Sequence, residues 1–226
     1  MTFATVRSVS IAAAVALTAF SAQALTIPTA ALNANSFQAF SADAIDSFDL
    51  FGVSVRPLGN AMTVADQPAT FNLPVTSISI DVLGGLKIQS GAAVGSALEI
   101  SRTTKDGRKV GQTLANFVID FTTHVVKADT TPIGGATVKQ AGVYKFDELQ
   151  TLTLKYKFPL SIQAKQILGN LYLTDEARAV MIQTLELPAA LANIVLPELN
   201  FGTITQDIGV SFRPKAVSTK PYTPVQ

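Results

Sequence analysis

The chain has 226 residues, of which 48% are hydrophobic and 15% are charged, with 17 Lys and Arg against 16 Asp and Glu. This composition excludes an intrinsically disordered chain, and a net charge of +1 excludes an electrostatic nucleic-acid binder. The chain has one His and no Cys, which excludes a thiolate metal site, a disulfide scaffold and a multi-histidine metal cage. We therefore predict neither a metal nor a cofactor.

The first 24 residues are typical of a secretory signal peptide. Arg7 provides a basic start, residues 11–20 (IAAAVALTAF) form an apolar core, and Ala22 and Ala24 place small residues at the −3 and −1 positions. The core is about half the length of the roughly 20 apolar residues that a membrane-spanning helix needs. We predict cleavage after Ala24, a periplasmic or secreted location and no transmembrane segment in the mature chain.

A short helix is predicted over residues 41–50 (SADAIDSFDL), ended by Gly52. Its three aspartates, Asp43, Asp46 and Asp49, fall on one side of the helix. Three carboxylates on one face can hold a cation, but the segment lacks the D-x-D-x-D-G order of a calcium loop. We interpret these residues as a solvated acidic face.

Alternating apolar and polar residues predict that most of the remaining chain is β-strand. The alternation is clearest in four segments, residues 77–82, 116–122, 151–158 and 203–213. One apolar and one polar face per strand is typical of antiparallel sheets packed on a core. Shorter strands are predicted over residues 53–56, 61–65, 94–102, 124–128 and 143–146.

A first hairpin turn is predicted at Asp106-Gly107, because this dipeptide adopts the positive φ angles of a tight turn. Basic residues cluster around it and are candidates for contact with an anionic glycan or lipid head group. Lysines at a hairpin tip also keep the edge of a sheet soluble, which is the simpler interpretation. The cluster consists of Arg102, Lys105, Arg108 and Lys109.

His124, the single imidazole of the chain, lies in a second predicted hairpin turn with Thr122 and Thr123. A serine triad would have to use it as the base, yet the sequence has no G-x-S-x-G element, no phosphate-binding loop and no dinucleotide-binding fingerprint. We therefore predict that the protein is not an enzyme. A pair of carboxylates that meet only in space, as in glycosidases, remains open at this point.

A second helix is predicted near residues 174–187. Thr174 is its N-cap, acidic residues follow in the first turn, and Pro188 is expected to stop it. An apolar stripe at helical spacing predicts that the helix packs on the sheet. The stripe consists of Ala177, Val180, Met181 and Leu185.

Two windows, residues 71–88 and 156–173, align without gaps and share four identical residues. This similarity favours an internal duplication only if it extends further along the chain.

Residues 114–129 (LANFVIDFTTHVVKAD) resemble the strand–turn–strand of exported HtaA-type domains, where an L-x-N-x-x-x-D … V-x-A-D pattern recurs. Residues 173–205 resemble the helix and following G-T-x-T strand of the same proteins. The resemblance implies a β-rich extracytoplasmic domain and, in some members, haem binding through Tyr and His. It makes His124 and Tyr156 the candidate ligand-binding residues.

The predicted fold is α+β and mainly β: antiparallel, sandwich-like sheets with one packed amphipathic helix near 174–187. It forms a single domain over residues 25–213, followed by a Pro-rich C-terminal tail, 214–226. The predicted function is an exported, non-enzymatic structural or binding protein of the cell envelope or extracellular space, with an unknown partner there. The alternative is a small-ligand carrier for haem or another apolar molecule.

Overall fold

The computed structural model describes residues 24–81, 87–157 and 161–224. The predicted signal peptide therefore lies outside the described residues, except for Ala24. The strands are β1 (Leu25–Pro28), β2 (Leu32–Ala39), β3 (Val53–Gly59), β4 (Met62–Val64), β5 (Gln67–Pro74), β6 (Ser77–Asp81), β7 (Lys87–Thr103), β8 (Lys109–Asp120), β9 (Val125–Pro132), β10 (Val138–Lys157), β11 (Ser161–Leu173) and β12 (Thr203–Phe212). The helices are α1 (Ala42–Phe51), α2 (Asp175–Thr184) and α3 (Ala189–Glu198).

Within the described residues, all twelve strands belong to one antiparallel sheet that curls into a half-barrel. Their order is β1-β6-β7-β8-β9-β10-β11-β12-β2-β5-β4, and β3 pairs with β7. The mainly-β class with packed helix is thus confirmed. The alternating pattern allowed two facing sheets, but the successive hairpins from β6 to β11 continue through β12 into β2, which gives one continuous curved sheet instead.

Strand β12 connects the two ends of the chain within the sheet, because it pairs with β11 on one side and with β2 on the other. Thr203 lies opposite Ala39 and Ile208 lies opposite Ala34. Just after β12, the Arg213 guanidinium donates hydrogen bonds to the carbonyls of Leu32 and Ala34. These contacts attach the C-terminal strand to the start of β2.

Both predicted hairpin turns are confirmed. Gly107, with φ 83°, lies in the turn between β7 and β8, and His124, with φ 53°, lies in the turn between β8 and β9. The first predicted helix is confirmed as well. The Ser41 hydroxyl accepts from the Ala44 amide, and Gly52 ends α1 with φ 66°.

The structure confirms the packed helix and corrects its end. The Thr174 hydroxyl accepts from the Ala177 amide, and Met181 and Leu185 are buried with only 2% and 1% of their surface exposed. The helix ends at Thr184 rather than near 187, and Pro188 is the N-cap of α3, a helix that the sequence pattern missed. Pro is compatible with a helix start because the first amides have no intrahelical acceptor.

The two windows proposed as a duplication have different structures. In the first, β6 ends at Asp81 and the chain returns antiparallel as β7, whereas the matching part of the second lies inside the single strand β11. This difference does not favour a structural repeat. Across the described residues, none of the helices is long and apolar enough to cross a membrane.

Candidate functional site

A cavity of about 540 Å³ lies between α2 and strands β8, β9 and β10. Its wall on the helix side includes Ala177, Val180 and Met181, three of the four residues of the predicted stripe. Its wall on the sheet side includes Leu114 and Val143, which are buried. Pockets of about 300–1,000 Å³ with apolar walls and few polar groups are typical of small-molecule sites.

Four uncharged polar side chains line this cavity, which we call the α2 cavity: Gln112, Thr130, Gln183 and Thr184. Gln112 and Thr130 are buried on β8 and β9, and the Thr184 hydroxyl lies 3.4 Å from Oε1 of Gln112. Glu176 is exposed at its rim and is the single charged residue of the lining. The arrangement fits a small, apolar, uncharged molecule that makes one or two hydrogen bonds, because the carboxylate of Glu176 disfavours an anion.

His124 is not among the residues that line the α2 cavity. It lies in the turn just before β9, whereas the β9 residues that line the cavity, Thr130 and Pro132, lie near the other end of that strand. Its side chain is 56% exposed, its Nε2 lies 3.5 Å from Oε1 of Glu148, and its ring packs edge-on against Phe146. These contacts are typical of a turn residue.

The side chain of Tyr156 lies outside the described residues, although its backbone belongs to β10. Tyr144 is 2% exposed in the core, where its ring packs on Phe201 at 5.5 Å, and burial raises the pKa of its hydroxyl. The residues that line the α2 cavity include neither Tyr nor His, so this cavity does not fit haem bound through those ligands.

The basic cluster at the β7–β8 hairpin is largely engaged in contacts within the protein. Arg108 forms ion pairs with Asp106 at 2.6 Å and with Glu186 at 3.0 Å, and Lys109 contacts Glu99 at 2.6 Å. Arg102 donates to the backbone carbonyls of Phe51 and Glu186, and Lys105 is exposed. The anionic-contact role stays a prediction, and this geometry favours a structural role that joins the hairpin to the residues after α2.

The three aspartates of α1 also show no sign of a binding site. Asp43, Asp46 and Asp49 are exposed along α1, as expected of a solvated face. In the described part of the chain, no three His, Asp or Glu side chains come together as a metal site.

The opposite face of β8 and β9 carries a polar network centred on Asn116 and Asp129. Asn116 has a left-handed φ of 53° at a bulge, and its Nδ2 donates to Oδ2 of Asp129 at 2.9 Å. Asp129 is 5% exposed and also accepts from Lys139 at 2.8 Å and from the Gln140 amide at 3.0 Å. Burial opposes ionisation of Asp129, but these hydrogen bonds outweigh it and lower the pKa of its carboxyl.

The C-terminal segment, residues 214–224, contacts this network. It contains no helix or strand, yet the Val217 amide donates to the Ala30 carbonyl and the Asn60 amide group donates to the Ser218 carbonyl at 2.7 Å. The backbone of Tyr222 is paired with Asn116. The region that the sequence marked only as a Pro-rich tail is therefore attached to the domain.

The residues of the L-x-N-x-x-x-D … V-x-A-D pattern have structural contacts. Asn116 and Asp129 form the polar network, and Oδ1 of Asp120 accepts from the amides of Thr122 and Thr123. The hydrogen bond from Lys127 contributes most to lowering the pKa of Asp120, to about 2.

Sequence reasoning did not identify Gln112 or Thr130 as cavity residues, because polar residues within an apolar strand look the same whether they face a cavity or a packed core.

Neither a known protein family nor a curated protein matches the chain. Its fold is similar to the crystal structure of the C-terminal domain of HtaA from Corynebacterium glutamicum, with a TM-score of 0.50 and 13% sequence identity. The match covers 80% of this chain and 99% of that domain. The resemblance that residues 114–129 and 173–205 predicted is thus confirmed at the level of the fold.

Proposed function

We propose that this protein is an exported, non-enzymatic binding protein that carries a small, apolar, uncharged molecule in the α2 cavity. The observation that carries the proposal is the pocket of about 540 Å³, open to solvent at its rim, between the apolar stripe of α2 and the sheet. Gln112, Thr130 and Thr184 orient the ligand by hydrogen bonds, while the apolar walls supply most of the binding free energy.

We favour a carrier role for this protein over a purely structural role. A structural role alone does not account for an apolar-walled pocket between a packed helix and the sheet, whereas such pockets are typical of small-molecule sites. A binding role is also preferred over an enzyme, since Glu176 is the one acid or base that faces the cavity and it lies exposed at the rim. General acid–base chemistry requires a positioned partner for such a group.

Binding of a neutral fluorescent probe, N-phenyl-1-naphthylamine, to the purified protein tests the proposal. We expect saturable binding of one probe per chain. Ala177→Phe should abolish it because the added ring occupies the cavity. Ala179→Phe is the matched control, since Ala179 lies on the same helix but is exposed. Equal binding by the two variants would place the probe elsewhere and contradict the proposal.

Haem titration separates haem from other apolar ligands. A functional haem site should bind with a Kd near or below about 1 μM, equivalent to about 8 kcal/mol. We expect only weak, unsaturable spectral change that is the same in His124→Ala and Tyr156→Phe. A stoichiometric absorption band lost in either variant would identify haem as the ligand.

Export is tested by N-terminal sequencing of the protein from its own host. We expect the mature chain to begin at Leu25, which is also the first residue of β1. Cleavage there leaves the sheet complete, which supports the predicted site. A mature chain that retains residues 1–20 would contradict the predicted location.

A further inference from the structure

The groove that holds residues 214–224 has the chemistry of a peptide-recognition site. The carboxamide of Asn116 pairs with both backbone groups of Tyr222: its Oδ1 accepts from the Tyr222 amide at 2.8 Å and its Nδ2 donates to the Tyr222 carbonyl at 3.0 Å. A side-chain amide used in this way replaces the backbone of a neighbouring strand. The groove therefore recognises an extended backbone.

Asn116 is fixed in place for this role. Its Oδ1 also accepts from the Gly95 amide at 3.0 Å, its Nδ2 also donates to Asp129, and its backbone carbonyl accepts from Gln140 at 3.0 Å. A buried amide held on all sides keeps its orientation, so the hydrogen bonds to Tyr222 cost little ordering entropy.

Two glycines provide the space that the segment occupies. A Cβ on Gly59 would lie 2.9 Å from Cδ2 of Tyr222, and a Cβ on Gly95 would lie 3.0 Å from the Lys220 carbonyl oxygen. Both glycines have positive φ, 64° and 82°, a conformation that residues with a side chain rarely adopt. Together with Asn60 and Asn116, they form what we call the tail groove.

The segment is connected to the domain by a short, loosely held link. Among the described residues, 214–216 are exposed and make no hydrogen bond to the rest of the protein. The segment follows the last strand, so its release does not disturb the pairing of β12. Three prolines, Pro214, Pro221 and Pro224, keep the segment extended when it is released, which lowers the entropy cost of rebinding.

We infer that the tail groove is an acceptor for the C-terminal segment of a second copy of this chain. At low protein concentration, the groove holds the chain's own segment through the same contacts. A terminal segment on a free link exchanges between copies at low cost, because the contacts are identical in both states. A short tether gives the chain's own segment an effective concentration in the millimolar range, so the intramolecular form predominates in dilute solution.

Two full-length variants test the exchange. Asn116→Gly removes the amide that binds the segment and keeps a residue suited to φ 53°, so this chain has a tail but no acceptor. Tyr222→Pro removes the donating amide and the ring, so this chain has an acceptor but no competent tail. We expect each variant alone to sediment as a monomer and their equimolar mixture to form a heterodimer.

A labelled synthetic peptide of residues 214–224 provides a second measurement. We expect it to bind full-length Tyr222→Pro, and to bind Asn116→Gly at least about tenfold more weakly, because the hydrogen bonds to the peptide backbone are lost. Circular dichroism confirms that both variants are folded. If the folded variants stay monomeric when mixed, the inference is wrong, whether or not the peptide binds.

Discussion

The two faces of β8 and β9 differ in how completely their side chains are engaged. On one face, Leu114 and Thr130 border a cavity of about 540 Å³ beneath α2. On the other, Asn116 and Asp129 form a dense network of hydrogen bonds that extends to the C-terminal segment. The same two strands thus combine a loosely filled site with a tightly partnered one.

The two faces should differ in how well they tolerate substitution. An apolar cavity tolerates changes in volume but loses ligand binding when it is filled. A buried polar network tolerates almost no change, because each lost partner leaves another group unsatisfied. Substitutions on the network face should therefore reduce the free energy of unfolding more than substitutions on the cavity face.

The largest effect is expected for Asp129→Leu. Replacing this carboxylate removes one acceptor of the buried Asn116 amide and the acceptor of the Gln140 backbone amide, and it leaves Lys139 without its ion-pair partner. We expect a loss of about 3–4 kcal/mol in the free energy of unfolding, measured in urea, because hydrogen bonds to a buried carboxylate contribute about 1.5–3 kcal/mol each. A loss below about 1 kcal/mol would show that the network does not stabilise this face.

The pH dependence of unfolding sharpens this prediction. The pKa of Asp129 is lowered in the folded state, so its contribution is complete above the ordinary pKa of about 3.9 and is lost as the pH falls through the folded value. We expect wild-type stability to fall below about pH 4, and Asp129→Asn to fall less steeply over the same range. Parallel curves for the two proteins would contradict this.

Met181→Asp should have the next largest effect. Met181 is 2% exposed between α2 and the core, so an aspartate there places an unpaired charge beside the α2 cavity. We expect a loss of about 3 kcal/mol, somewhat less than for Asp129→Leu, because the cavity allows partial hydration. Met181→Leu, which conserves volume, is the control and should cost less than about 1.5 kcal/mol.

Thr174→Ala should cost about 2 kcal/mol. The hydroxyl caps α2 through the Ala177 amide, worth about 1 kcal/mol, and it also donates to the Gly142 carbonyl, a second bond of similar value. Thr174→Ser keeps the hydroxyl and should recover most of the loss. Thermal melts of both variants would show whether α2, one wall of the cavity, depends on this residue.

The smallest effect is expected for Arg108→Ala, at the hairpin tip beyond both faces. Its side chain is 58% exposed, so its ion pairs with Asp106 and Glu186 are screened by solvent. We expect no measurable change in the free energy of unfolding at physiological salt. A measurable loss would mean that the hairpin holds the end of α2 more firmly than its exposure indicates.

The sequence predicted those parts of the fold that depend on neighbouring residues. The cap at Thr174, the end of α1 at Gly52, the turns at Gly107 and His124, and the stripe that includes Met181 all follow from short-range patterns, and all are confirmed. The helix at residues 189–198 was missed because its apolar residues show no one-sided periodicity, and a proline precedes it.

The candidate sites were less accessible to sequence reasoning. The α2 cavity depends on where three strands and one helix fail to fill the space between them, which no local pattern encodes. Asn116 belonged to a recognised motif, but its partners Tyr222 and Asp129 are brought to it by the sheet and the tail. His124 and Tyr156 were singled out by residue type, and the structure places His124 in an exposed turn, outside the residues that line the cavity.

The pairing of β2 with β12 determines when this sheet can be completed. These strands come from opposite ends of the chain, whereas β7 to β11 are joined by successive hairpins. Contacts of such high contact order form slowly, so we expect the central hairpins to form first and the β2–β12 seam to close last. Until the C-terminal strand arrives, the edge of β2 that will receive it stays unpaired. An emerging chain is therefore most prone to aggregation just before its last strand is released.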